Sequence, residues 1–139
     1  MSSPVIALVT DFGLKDNYVG IMKSVIVSIC PEARIIDICH DVPPQNISSG
    51  SYLLSSATPF LPKDAVVIGV VDPGVGGHDR KSVAIETEDF TCVGPDNGLF
   101  EHALEHSEPK TCVELTNPNY HRRDVSQTFH GRDIFAPVG

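Results

Sequence analysis

Residues 65–71 read AVVIGVV, seven in a row with no charge and no hydrogen-bonding side chain. A strand of that composition is apolar on both faces, so it belongs in the middle of a sheet covered on both sides. Two strands precede it, residues 5–12 and residues 34–40 (RIIDICH), the second followed by the rigid loop Asp41-Val42-Pro43-Pro44. Between them Asp16 is placed to cap a helix. Its apolar positions Tyr18, Ile21, Met22, Val25, Ile26 and Ile29 recur at three and four residues, and Pro31 lies where it must stop. A second helix is predicted over residues 48–60, ended by Pro59 and Pro62. Strand, helix, strand, helix, strand implies a parallel sheet with right-handed crossovers. Further on, residues 82–87 and 90–93 are strands close enough to form a hairpin. A short helix (97–106), a strand (111–115) and the opening of a helix (131–138) complete the reading. The fold class is α/β, a mostly parallel central sheet with helices on both faces.

At 139 residues the chain makes one domain, and 41% hydrophobic with 20% charged residues describes a globular one. The net charge of −8, with Lys and Arg dispersed, argues against a nucleic-acid surface. No apolar run approaches the length of a membrane span. The start, MSSPVIALVTDF, lacks the basic region of a signal peptide and soon reaches an acid, so a cytoplasmic location is expected. Cys30, Cys39, Cys92 and Cys112 show no CxxC pairing and are expected to be small buried hydrophobes in a reducing compartment. Residues 102–106 (HALEH) spell the inverted zinc-protease pattern. Their predicted helix is short and far from the polar loops, so they read as a solvated surface. No metal and no cofactor are expected.

Four polar clusters fall at strand ends or after a loop: TDFG (10–13), DPGVGG (72–77), GPDNG (94–98) and TFHGRD (128–133). Ligands of open parallel sheets bind beyond the carboxyl ends of the strands, so the four together are expected to line one crevice. Any one of them alone is equally well a turn, since Gly, Pro and Asp serve turns everywhere. None matches a phosphate loop or a dinucleotide fingerprint. Asp11-Phe12-Gly13 followed by His130-Gly131-Arg132-Asp133 is in the wrong order for a kinase.

In order and spacing, TDFGLKDNYVGIMKSVI (10–26), ICHDVPPQNISSG (38–50), VVDPGVGGHDRKSVAIE (70–86), VGPDNGLF (93–100) and TFHGRDIFAP (128–137) resemble one family over nearly the whole chain. It is the S-adenosyl-L-methionine hydroxide adenosyltransferases, adenosine-forming hydrolases related to the fluorinating and chlorinating enzymes. The resemblance implies an enzyme that cleaves S-adenosyl-L-methionine with water into adenosine and L-methionine. It implies that Asp11 binds the ribose hydroxyls and that Asp72, Arg80 and His130 position and activate the water. Phe12, Asp16, Asn97 and Phe129 are then expected to line the substrate pocket. The halogenating relatives lack the acid at the place of Asp72 and the histidine at the place of His130, so this chain looks like a hydrolase. The loop between Gly76 and Val83 is one residue longer than the family pattern, which places the arginine at Arg80 by inference, with Lys81 its competitor. Residues 1–139 correspond to the N-terminal catalytic and ribose-binding domain, expected to be truncated in its last helix. The family's C-terminal β-rich domain, which supplies much of the adenine pocket across a homotrimer interface, is expected to be absent.

The residue types suit the chemistry. A sulfonium departs from the ribose C5′ as a neutral thioether, so no general acid is required; a nucleophile is. A guanidinium stays charged and stabilises hydroxide as it forms, a carboxylate holds the guanidinium fork, and a histidine accepts a proton or orients the water. Two other readings use the same residues. One is a non-catalytic domain that binds an adenosyl ligand; the other is a metal-dependent phosphohydrolase built on Asp11, Asp72 and Asp96.

Overall fold

The computed structural model describes residues 3–139. Six strands form one sheet: β1 (Val5–Thr10), β2 (Arg34–Cys39), β3 (Ala65–Val70), β4 (Ser82–Thr87), β5 (Phe90–Pro95) and β6 (Pro109–Glu114), in the spatial order β2-β1-β3-β5-β4-β6. β3 pairs in parallel with β1 on one side and β5 on the other, the central place its composition requires. β1 and β2 are also parallel, whereas β4 runs antiparallel to both β5 and β6. The reversal follows from the two-residue connection Glu88-Asp89, too short for a crossover helix.

Alternate side chains of the sheet feed two cores. On one face Ala7, Val9, Val67, Val71 and Ile85 meet Leu54 of α2 (Ile47–Ala57) and Ala103 of α3 (Glu101–His106). On the other, Ile6, Leu8, Ile68, Val70 and Val93 meet Met22 and Ile26 of α1 (Tyr18–Ile29) and Ile134 to Ala136 near the last helix, α4 (Ala136–Val138). Helices therefore cover both faces.

Several expectations change in detail. Asp16 does not cap α1: Asn17 occupies that position and its side chain makes no capping bond. α2 is instead capped by Asn46, whose side chain accepts from the Ser49 amide, and it tightens into a 3-10 turn over Thr58–Phe60. Asn97 lies outside the third helix, which begins at Glu101. The last helix opens as a π-helix, Gly131–Phe135. Of the cysteines only Cys92 is fully buried, and burial pushes its thiol up to about 12, so it packs as an inert hydrophobe. Cys30 and Cys39 are half-buried. Cys112 is exposed because β6 is an edge strand with every residue at the surface.

Candidate active site

β1 and β3 lie side by side and end together, Thr10 opposite Val70, so Asp11 and Asp72 emerge next to each other beyond the carboxyl edge. The segment before the π-helix brings Phe129 and His130 to the same edge. Asp11, Phe12, Gln45, Val70, Asp72, Val75 and residues 128–131 line a cavity of about 170 Å³ there.

Behind the cavity wall sits Arg80. Its Nε donates to Asp72 Oδ1 at 3.2 Å, Nη1 donates to Ser82 Oγ, and Nη2 donates to His130 Nδ1 at 2.6 Å. Its guanidinium carbon lies 5.5 Å from the centre of the Phe135 ring, a cation–π arrangement. Asp72 and Arg80 side chains are only 3% and 9% exposed. Nη2 also approaches Asp72 Oδ2 to 2.8 Å, but off the line of its N–H bonds, and Oδ2 keeps an unused acceptor in a buried place. Burial pushes the Asp72 carboxyl above the usual carboxylate range, against the opposing pull of Arg80. Burial and the Arg80 charge both hold His130 below its ordinary value, so the ring is neutral near pH 7. A guanidinium cannot accept a hydrogen bond, so Nδ1 is the acceptor and the neutral ring carries its proton on Nε2.

His130 does not pair with Asp133. That acid, fully buried, takes Arg132 Nε at 2.6 Å and the Ser126 amide at 2.8 Å, and Arg122 approaches it to 3.5 Å. Burial alone would raise its carboxyl, but Arg132 and the Ser126 amide hold it below the usual range. Asp133 thus anchors the loop that presents Phe129 and His130. Arg132 also stacks over Phe129, 5.1 Å from the ring centre.

Of the eight residues singled out from sequence, Asp11, Phe12, Asp72, Phe129 and His130 line the cavity, and Arg80 touches two of them. Lys81 is exposed, whereas Arg80 is the neighbour that contacts Asp72 and His130. Asp16 is exposed and is not part of this lining. Asn97 serves the backbone: its Nδ2 donates to the Val71 carbonyl at 2.9 Å, just before Asp72, and its Oδ1 accepts from the Leu99 amide. Sequence reasoning missed Ser82 and Gln45. The Gln45 amide donates to Asp11 Oδ2 at 2.7 Å from a backbone in the left-handed region, φ 61°. Its only sequence signal is the turn-forming run Pro43-Pro44-Gln45-Asn46.

Among the described residues no group of three or more His, Cys, Asp or Glu side chains is placed to hold a metal ion. Asp96 is exposed, and the carboxylate of Asp72 is engaged by a guanidinium that would repel a cation. The phosphohydrolase reading is therefore not favoured. The His102 and Glu105 pair is likewise an exposed contact at 3.7 Å on a six-residue helix.

Residues 6–139 match the family described as SAM hydroxide adenosyltransferase N-terminal domain. The chain belongs to that family. Among curated relatives, the (R)-S-adenosyl-L-methionine hydrolase of Salinispora tropica is 45% identical over 137 residues, covering 98% of this chain and 52% of that protein. A fluorinase of Actinopolyspora mzabensis is more distant, 23% identical over 97% of this chain and 52% of its own. The crystal structure of an uncharacterized conserved protein from Thermotoga maritima superposes with a TM-score of 0.92 at 43% identity, covering 96% of this chain and 51% of that one. The chain spans about half the length of the curated relatives it matches.

Proposed function

We propose that the chain hydrolyses S-adenosyl-L-methionine to adenosine and L-methionine. The observation that carries this reading is the convergence of Asp72, Arg80 and His130, remote in sequence, into one hydrogen-bonded set against a cavity that also holds Asp11. Curated relatives at 45% and 44% identity, named as hydrolases of this substrate, support it.

The reaction needs one water in line with the C5′–S bond. Its oxygen bonds to C5′, the C5′–S electron pair leaves on sulfur, and one proton is released. Arg80 stabilises the hydroxide character that develops on the attacking oxygen. Because Arg80 occupies the lone pair of His130 Nδ1, the histidine orients the water through Nε2–H and is not the base. Asp72, which lines the cavity, takes the proton, and its raised pKa suits it to that task. Attack by an anionic oxygen on a sulfonium cancels charge, so a dry pocket favours it. Asp11 accepts the ribose hydroxyls while Phe12 and Phe129 supply apolar walls. Asn97 steadies the approach to Asp72, and the expected pocket role of Asp16 rests on the resemblance alone.

We further propose the organisation that the resemblance implies. Residues 1–139 act as the catalytic, ribose-binding unit of a cytoplasmic homotrimer in which a β-rich C-terminal domain completes the adenine pocket. The doubled length of the curated relatives supports the extra domain. Four free cysteines fit a reducing compartment, and no helix among the described residues is long and apolar enough to cross a membrane.

The test is to incubate the protein with S-adenosyl-L-methionine in the presence of a chelator and follow adenosine by chromatography. Metal-independent release is expected. Tight binding without turnover would replace this reading with that of a non-catalytic adenosyl-ligand domain.

A further inference from the structure

Next to the cavity, but outside its lining, four side chains form a continuous polar chain. Lys23 Nζ contacts Asp37 Oδ2 at 2.7 Å, Asp37 Oδ1 contacts His40 Nε2 at 2.7 Å, and His40 Nδ1 contacts Thr10 Oγ1 at 2.7 Å. Thr10 Oγ1 then accepts the Phe12 amide at 3.3 Å. Thr10 is fully buried and His40 is 5% exposed, so neither meets solvent and each of these bonds matters.

Donor logic gives the chain one direction. A carboxylate only accepts, so His40 Nε2 carries a proton, and in the neutral ring Nδ1 is then the acceptor. The Thr10 hydroxyl must therefore donate to Nδ1, which leaves its oxygen lone pairs for the Phe12 amide. Every member is satisfied with His40 neutral. Burial would raise the Asp37 carboxyl, but the bonds from His40 and Lys23 outweigh it and keep it ionised.

The chain clamps one object. Thr10 and Phe12 flank Asp11, the Gly13 amide donates to the His40 carbonyl at 2.7 Å, and Gln45, five residues beyond His40, holds Asp11 itself. The ends of β1 and β2 are thereby locked together around the Asp11 carboxylate.

We propose that Thr10 and His40, with Asp37 behind them, are positioning residues that set the Asp11 carboxylate for the ribose hydroxyls. This rests on the functional reading above. Asp11 grips a part of the substrate that does not react, so loosening it weakens binding without touching the water-activating set.

The test compares Thr10→Val, which fills the same buried volume without the hydroxyl, with Thr10→Ser, which keeps it. Thr10→Val is expected to raise KM for S-adenosyl-L-methionine about tenfold with kcat within about twofold, and Thr10→Ser to restore KM. In the unliganded protein, nitrogen-15 spectra of the imidazoles are expected to show His40 protonated on Nε2 only. An unchanged KM in Thr10→Val, a fall in kcat alone, or the opposite His40 tautomer overturns the positioning role. A wild-type chain that releases no adenosine overturns the functional reading and this role together.

Discussion

Arg80 makes three different hydrogen bonds from one planar group, to a carboxylate, a hydroxyl and an imidazole. Only a guanidinium offers donors in that spread, and an ammonium presents a point charge instead. Replacing it by lysine should therefore lower kcat by ~10²-fold or more, as should Asp72→Ala or His130→Ala, each measured as adenosine release under substrate saturation. An undiminished rate in all three would remove the assigned roles. The pH dependence follows from the same contacts. Asp72 must be ionised to take a proton, and burial raises its pKa; His130 must be neutral to accept from Arg80, and burial with the Arg80 charge lowers its pKa. His130 is neutral near pH 7, and both groups lose the active form as pH falls. The His130 step on the acid limb of kcat/KM should accordingly have its midpoint below the ordinary histidine value of about 6.5. Activity that instead rises as pH falls through that value would show that His130 works in the charged form. The lowered pKa also bears on stability: the unfolded chain takes up the proton first, so stability falls as pH drops from about 6.5 toward the folded-state value.

Among the elements, two loops must meet for the site to exist, the one following β3 and the one leading into the π-helix. Gly76 is where they touch. Its φ of 78° lies in the left-handed region, and a Cβ there would strike the backbone carbonyl of Gln127. Gly76→Ala should destabilise the protein by roughly 1–3 kcal/mol, combining the backbone penalty with a steric one, and should lower kcat by shifting His130 against Arg80. Thermal unfolding and rate together check this; a stable variant of normal rate would show that the loops are independent. The π-turn itself fits the same purpose, since such irregular turns concentrate where side chains must be aimed.

On the scale of the whole molecule, the two cores have separate duties. The face carrying α1 and the π-helix backs onto the cavity residues, whereas the face carrying α2 and α3 supports the sheet from the other side. Leu54 is fully buried in the latter. Leu54→Ala should cost about 2–5 kcal/mol of stability, read by denaturant unfolding, while KM stays unchanged in the folded fraction. A raised KM would show that the two faces are coupled.

Strand identity, the central place of residues 65–71 and the hairpin at Glu88-Asp89 were legible because apolar periodicity and connection length are local properties of a sequence. The four polar clusters were legible too, since glycine-, proline- and aspartate-rich turns announce themselves. What no local pattern contains is which distant groups share one hydrogen-bond set. That Arg80 and not Lys81 turns inward, that His130 answers to Arg80 and not Asp133, and that a main-chain amide at Gln45 meets Asp11 all depend on how separate loops pack. The chain's own order determined a mostly parallel sheet with polar clusters along its carboxyl edge. Only close packing in three dimensions decided the direction of each donor along that edge, because a buried polar atom takes its partner from whatever the fold sets beside it.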